Sequence, residues 1–138
     1  MVQTLRVDTD VFSYLMRGTQ EAERFKKIVE DRLLAISFAT VGEAYSGAAQ
    51  ANWGESRLQR LTDTLNRYVI LPGTFEIARQ FGDIKARHRD QVDEGDIWIA
   101  ATASVHRLSV ATNNLRHFQP MSERFQFGIE HPNLDSGG

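Results

Sequence analysis

At 138 residues the chain is long enough for one domain whose core needs no covalent staples. Its composition, 41% hydrophobic and 25% charged with no cysteine, is that of an ordinary globule and excludes a disulfide framework or a thiolate metal site. With 16 basic and 18 acidic residues the net charge is -2, so no global field draws in nucleic acid; such a substrate would need a local basic patch or bound cations. No apolar run approaches the ~18–20 residues of a membrane span, and no signal-peptide pattern opens the chain, so a cytoplasmic setting is expected.

In chain order, Leu5-Arg6-Val7 forms a first strand that ends at Asp8. Val11 to Arg17 is helical and stops at Gly18, and Gln20–Asp31 is a charged helix with Ala22, Phe25, Ile28 and Val29 on one face. Leu33–Phe38 is a short apolar run suited to a buried strand. A small-residue helix over Thr40–Asn52 follows, and after Gly54 another runs to about Tyr68 with Leu58, Leu61 and Leu65 in register. Val69-Ile70-Leu71 is a strand stopped by Pro72-Gly73. Phe75–Arg89 and Asp96–His106 are helices, Leu108–Ala111 a strand, and Phe125–Ile129 an edge strand. Residues 1–131 form a single domain in this reading, and 132–138 a frayed tail with nothing to pack.

Strands alternating with helices imply a three-layer α/β/α fold around a short, mainly parallel sheet, with ligands outside the carboxyl ends of the strands. Asp8 follows the first strand, Glu43 lies about one helical turn beyond Leu33–Phe38, and Asn113-Asn114 follow Leu108–Ala111. All can face one cleft. Each also has a structural explanation. Asp8 suits a helix N-cap, although Asp10 follows closely. Thr40-x-x-Glu43 has capping-box spacing, yet Val41, Ala44, Tyr45, Gly47 and Ala48 surround the carboxylate with apolar or small neighbours. Asp93 can cap the helix that holds Asp96 at its third position, but Asp93, Glu94 and Asp96 put more negative charge there than a helix start requires. The Asn pair suits a turn. Thr112 beside it offers a hydroxyl that could hold a metal-bound water or orient a carboxylate. His88, His106, His117 and His131 lack metal-ligand spacing, though His117 lies close to the candidate site; Arg116 is the base best placed to meet a phosphate.

Together, Val7-Asp8-Thr9-Asp10-Val11, the helix start at Glu43, Asp96-Ile97-Trp98-Ile99-Ala100-Ala101 and Thr112-Asn113-Asn114-Leu115-Arg116-His117-Phe118 resemble the PIN-domain ribonucleases, in particular the VapC toxins of type II toxin–antitoxin systems. The resemblance runs from Leu5 to about Phe118. It implies a PIN-like fold, Mg2+ or Mn2+ in an acidic pocket, cleavage of RNA phosphodiesters by metal-activated water, a homodimer, and a VapB-type antitoxin whose C-terminal segment fills the groove. Carried over by position, Asp8, Glu43 and Asp96 fall on the principal acids, and Asn114 stands where the family usually has Asp. Asn114 brings a neutral oxygen; Thr112 and Asp10 support the site, Asp10 with extra charge, and Arg116 meets RNA phosphate. Two other readings compete. One is a PIN-fold protein that binds RNA or a partner without cutting. The other is a haloacid-dehalogenase-like phosphatase using Asp8-Thr9-Asp10, which would want its later acid pair just after a strand.

Overall fold

A computed structural model describes residues 3–88 and 92–134. Among these, five strands and seven helices follow one another as β1 (Thr4–Val7), α1 (Thr9–Arg17), α2 (Gln20–Val29), β2 (Leu33–Ser37), α3 (Phe38–Gln50), α4 (Glu55–Leu65), β3 (Val69–Leu71), α5 (Phe75–His88), α6 (Glu94–His106), β4 (Val110–Ala111), α7 (Leu115–Phe125) and β5 (Ile129–Glu130). The expected end of α5 at Arg89 and the last four residues of the expected tail lie outside the described residues.

The strand order is β3-β2-β1-β4-β5 and every pairing is parallel. Helices α1 to α4 cover one face, where Leu5, Val7, Ile36 and Ala111 meet Val11, Phe12, Phe25, Leu61 and Leu65. Helices α5 to α7 cover the other, where Val110 packs with Ile77, Ile84, Ile97, Ile99, Phe118 and Met121. Adjacent Val110 and Ala111 thus serve opposite layers, as the two-residue period of a strand requires. The chain winds outward from β1 through β2 to β3, then returns to start β4 on the free edge of β1. The reversal between β1 and β4 opens the crevice where ligands bind in such sheets.

Several expected boundaries shift for local reasons. Helix α3 starts at Phe38, because Ser37 is its N-cap and its hydroxyl accepts from the Thr40 amide at 3.4 Å. The Thr40–Glu43 capping box is therefore not formed, and Glu43 stands about one and a half turns into the helix. Leu108 belongs to the end of α6: its amide donates to the Ala103 carbonyl at 2.9 Å, past Arg107 in the left-handed region at φ 57°. Only Val110–Ala111 remains as strand. The edge strand expected at Phe125–Ile129 is displaced as well. Phe125 closes α7, Gln126 caps it at φ 58°, and the strand is Ile129–Glu130. Leu115, Phe118, Met121 and Phe125 recur at helical spacing in α7, but Pro120 lies inside it and lacks an N–H for the helix ladder, which argues against a helix locally. Burial of Phe118 and Met121 holds the helix together despite that loss.

Candidate active site

Asp8 leaves the end of β1 beside β4 and is 3% exposed. One carboxylate oxygen, Oδ1, accepts from the Val11 amide at 2.8 Å and caps α1; the other, Oδ2, accepts from the Thr112 hydroxyl at 2.6 Å. Thr112 in turn accepts from the Asn114 amide at 2.9 Å. Burial pushes the Asp8 carboxyl up to about 6, with the charges of Asp10 and Asp96 adding to the rise and the two hydrogen bonds opposing it. The capping role and a place in the pocket coexist in one side chain.

Asp96 is the third residue of α6, its amide bonded to the Asp93 carbonyl at 3.0 Å. Its carboxyl is also raised, first by burial and then by Asp93 and Asp10, while His117 opposes the shift. His117 Nδ1 lies 2.9 Å from Asp96 Oδ2 and 2.7 Å from Asn114 Nδ2. One ring nitrogen cannot donate to the carboxylate and accept from the amide at once, so the two contacts belong to alternative proton placements.

Glu43, on α3, faces the same cleft and keeps access to solvent. Burial raises its carboxyl, Asp93 and Asp96 add to that, and Thr9 and Arg6 oppose it. The start of α6 passes close by: a Cβ at Gly95 would stand 3.2 Å from Glu43 Oε1 and 3.6 Å from Asp93 Oδ2. Glycine permits this approach of helix to carboxylate.

Asp10 is exposed at the second position of α1, and Arg116 is exposed on the first turn of α7. Asn113 is turned elsewhere, accepting from Arg24 at 3.3 Å and donating to the Tyr14 hydroxyl at 3.4 Å, and so ties the loop to α1 and α2. Asp93 caps α6 through its backbone carbonyl; its side chain makes no capping bond, and its charge acts on Glu43 and Asp96. Among the described residues no strand stands between helix α5 and Asp93 or Asp96, which is not the setting a haloacid-dehalogenase-like acid pair would need.

Sequence reasoning passed over Arg6. It is fully buried in the central strand, donating through Nη2 to Ser37 Oγ at 3.0 Å and Thr40 Oγ1 at 3.4 Å, and through Nη1 to the Val7 carbonyl. Burial lowers its pKa to about 10, Asp8 and Glu43 pull it back up, and the group stays charged at neutral pH. The available signal was an arginine between Leu5 and Val7 in an otherwise apolar strand. His117, three residues after the N-cap Asn114 on the first turn of α7, brings its ring to Asp96.

Clustered carboxylates whose ionisation is made harder by desolvation and mutual repulsion are the hard oxygen donors that a divalent cation stabilises. Asp8, Glu43 and Asp96 supply them. Among the described residues no three Asp, Glu or His side chains close around one ion-sized point. A separate apolar groove of about 550 Å³, lined by Phe38, Pro72, Phe75 and Trp98 among others, lies beside α3 and α6.

The PIN domain family matches residues 6–121. The chain is 33% identical over 118 residues to ribonuclease VapC2 of Haemophilus influenzae, a match covering 82% of this chain and 88% of that protein. It is 36% identical over 124 residues to ribonuclease VapC10 of Mycobacterium tuberculosis, covering 87% and 89%. Among solved structures, DNA-bound VapBC from Salmonella typhimurium superposes with a TM-score of 0.74 at 28% identity, over 96% of this chain and 99% of that one.

Proposed function

This chain belongs to the PIN-domain family, as a VapC-type ribonuclease toxin of a type II toxin–antitoxin system, and from that premise we propose that Asp8, Glu43 and Asp96 are the carboxylates of its active site. The observation that carries the reading is their convergence. Three acids from β1, α3 and α6 lie near the carboxyl edge of the sheet, and the charge of Asp96 raises the carboxyls of both Asp8 and Glu43. Such a cluster is unstable alone and is relieved by a cation.

The VapC ribonucleases are typically metal-dependent, and Mg2+ or Mn2+ is the ion proposed here, held by Asp8 and Asp96 with Glu43 directly or through water. When bound, the ion would activate water for in-line attack on an RNA phosphodiester and offset charge on the phosphate. Thr112 keeps Asp8 oriented, and His117, when its Nδ1 carries the proton, holds Asp96. Asp10 adds charge at the rim, and Arg116 offers a cation to RNA phosphate. The net charge of -2 is compatible with an RNA substrate because attraction is then local to the loaded pocket.

Toxin–antitoxin complexes among the structural neighbours support a cognate antitoxin as partner. The finer proposal is a VapB-type antitoxin whose C-terminal segment fills the groove, and a homodimer. Phe38 at 72% and Phe75 at 93% exposure are large apolar side chains that contact with another chain would cover, which supports assembly. No helix among the described residues is long and apolar enough to cross a membrane.

The test is cleavage of total RNA by purified, antitoxin-free protein with Mg2+, Mn2+ or EDTA, beside Asp96→Asn. Discrete fragments that require metal and vanish in the variant are expected. Full cleavage by a folded Asp96→Asn protein would remove the metal-site reading, and metal binding without cleavage of any RNA would turn it toward a binding role.

A further inference from the structure

Arg6 is an unusual residue for the centre of a parallel sheet. Its side chain leaves β1 on the face opposite Leu5 and Val7, next to the small partners Ala35 and Ser37 of β2, which make room for a guanidinium. Burying a charge without a partner is strongly unfavourable, and no carboxylate forms an ion pair with it within salt-bridge distance among the described residues. The head group is held by neutral oxygens: Ser37 Oγ, Thr40 Oγ1 and the Val7 carbonyl. Thr40 continues to the Thr9 hydroxyl at 3.2 Å. Nε has no partner among the described residues. All these contacts sit where β1 and β2 end and α1 and α3 begin, directly at the base of the acidic cleft. A buried cation with neutral hydrogen-bond partners owes its tolerance to the carboxylates in front of it, and the charges of Asp8 and Glu43 both act on it.

We propose that Arg6 is the fixed cation of this active site: pinned by Ser37 and Thr40, its guanidinium offsets part of the acidic charge and lowers the affinity of the pocket for a divalent ion. The inference rests on the reading of Asp8 and Glu43 as metal-facing carboxylates. A positive charge built into the floor stabilises the cluster while the site is empty, and it repels any ion that enters. The pocket therefore holds its shape without metal and gives up affinity in return. Arg6 does not touch substrate in this scheme; it acts through the carboxylates, as a positioning residue.

The experiment is direct Mn2+ binding to the full chain, read by calorimetry and by the electron paramagnetic resonance signal of free Mn2+, for the natural protein, Arg6→Gln and Arg6→Lys. Gln keeps a donor for Ser37 and Thr40 but removes the charge; Lys keeps the charge. The natural protein is expected to bind Mn2+. Arg6→Gln is expected to bind it more tightly, on the order of tenfold, and Arg6→Lys to stay near the natural affinity. Should Arg6→Gln not fold, Arg6→Met supplies the same neutralisation with no polar head to satisfy. A folded neutral variant that binds Mn2+ no more tightly overturns the role of Arg6 and leaves the carboxylate site standing. A folded natural protein that binds no divalent ion overturns the site reading and this inference with it.

Discussion

His117 Nδ1 stands 2.9 Å from Asp96 Oδ2, so a ring on α7 steadies a carboxylate at the start of α6, 21 residues earlier in the chain. The side chains that hold a metal ligand from behind often matter nearly as much as the ligand.

Replacing His117 with Ala should leave Asp96 free to rotate and open the gap beside Asn114. Half-saturating Mn2+ for RNA cleavage is expected to rise roughly 10–100-fold, with the melting temperature of the metal-free protein changed little. Titrating metal in the cleavage assay, alongside a thermal melt, separates the two. An unchanged metal requirement would show that the ring is incidental to the site.

Asp8 gives a prediction with a definite sign in pH. Its carboxyl is raised to about 6 in the folded protein from an ordinary value of 3.8, so the native state holds more protons than the unfolded chain between those values. Stability of the metal-free protein should therefore fall as pH rises from about 4 to 6, by about 3 kcal/mol once Asp8 is fully ionised. Asp8→Asn should remove most of that slope, while the Asn oxygen still caps Val11 and the Thr112 hydroxyl can turn to accept. Cleavage should be abolished. Urea unfolding of both proteins across this pH range, without metal, checks the slope; a natural protein equally stable at both ends would contradict it.

Divalent metal should reverse the same penalty. Mn2+ is expected to raise the melting temperature at pH 7 and to lose that effect toward pH 4, where the carboxylates it would bind are protonated. A melting temperature indifferent to Mn2+ at pH 7 would be the contrary result.

Gly95 separates stability from function. In Gly95→Ala the new methyl would meet Glu43 Oε1 at 3.2 Å, and the carboxylate must give way. Alanine is also the better helix former, by up to about 1 kcal/mol. The variant should melt at the same temperature or higher while cutting RNA more slowly. Equal activity would mean that the position of Glu43 is not critical.

Thr112→Val keeps shape and removes the hydroxyl that bridges Asp8 and the Asn114 amide. Two buried or half-buried groups then lose a partner, at an expected cost of about 1–3 kcal/mol in urea unfolding, together with reduced cleavage. No loss of stability would indicate that water replaces the hydroxyl.

The fold was readable where one signal dominated. Val69-Ile70-Leu71 is bounded by Pro72-Gly73 and matches β3 residue for residue, and the alternation of strands and helices gave a parallel sheet. Helix α7 was hidden because Pro120 argues against a helix locally, and only the tertiary burial of Phe118 and Met121 outweighs it. At the site, Asp8, Glu43 and Asp96 stood out as acids at element ends. Arg6 did not, since a lone arginine in a strand gives no hint that Ser37 and Thr40, more than thirty residues away, will receive it. Thr40 was misassigned for the related reason that Thr40-x-x-Glu43 and Ser37 offered two competing helix starts, and Ser37 won through its own bond to the Thr40 amide.

The placement of β4 against the free edge of β1 has a consequence for how this protein is made. Asp8 is synthesised early, but its partner Thr112 lies 104 residues later, and Asp96 and His117 also come from the last third of the chain. No half of the polypeptide contains the cleft. While the ribosome is still translating the message, the emerging chain can pair β1 with β2 and β3, yet the cutting edge does not exist. On the reading of Asp8 and Asp96 as active-site carboxylates, a nascent chain that lacks the segment from Asp96 to His117 has no complete site with which to cut the message it is read from.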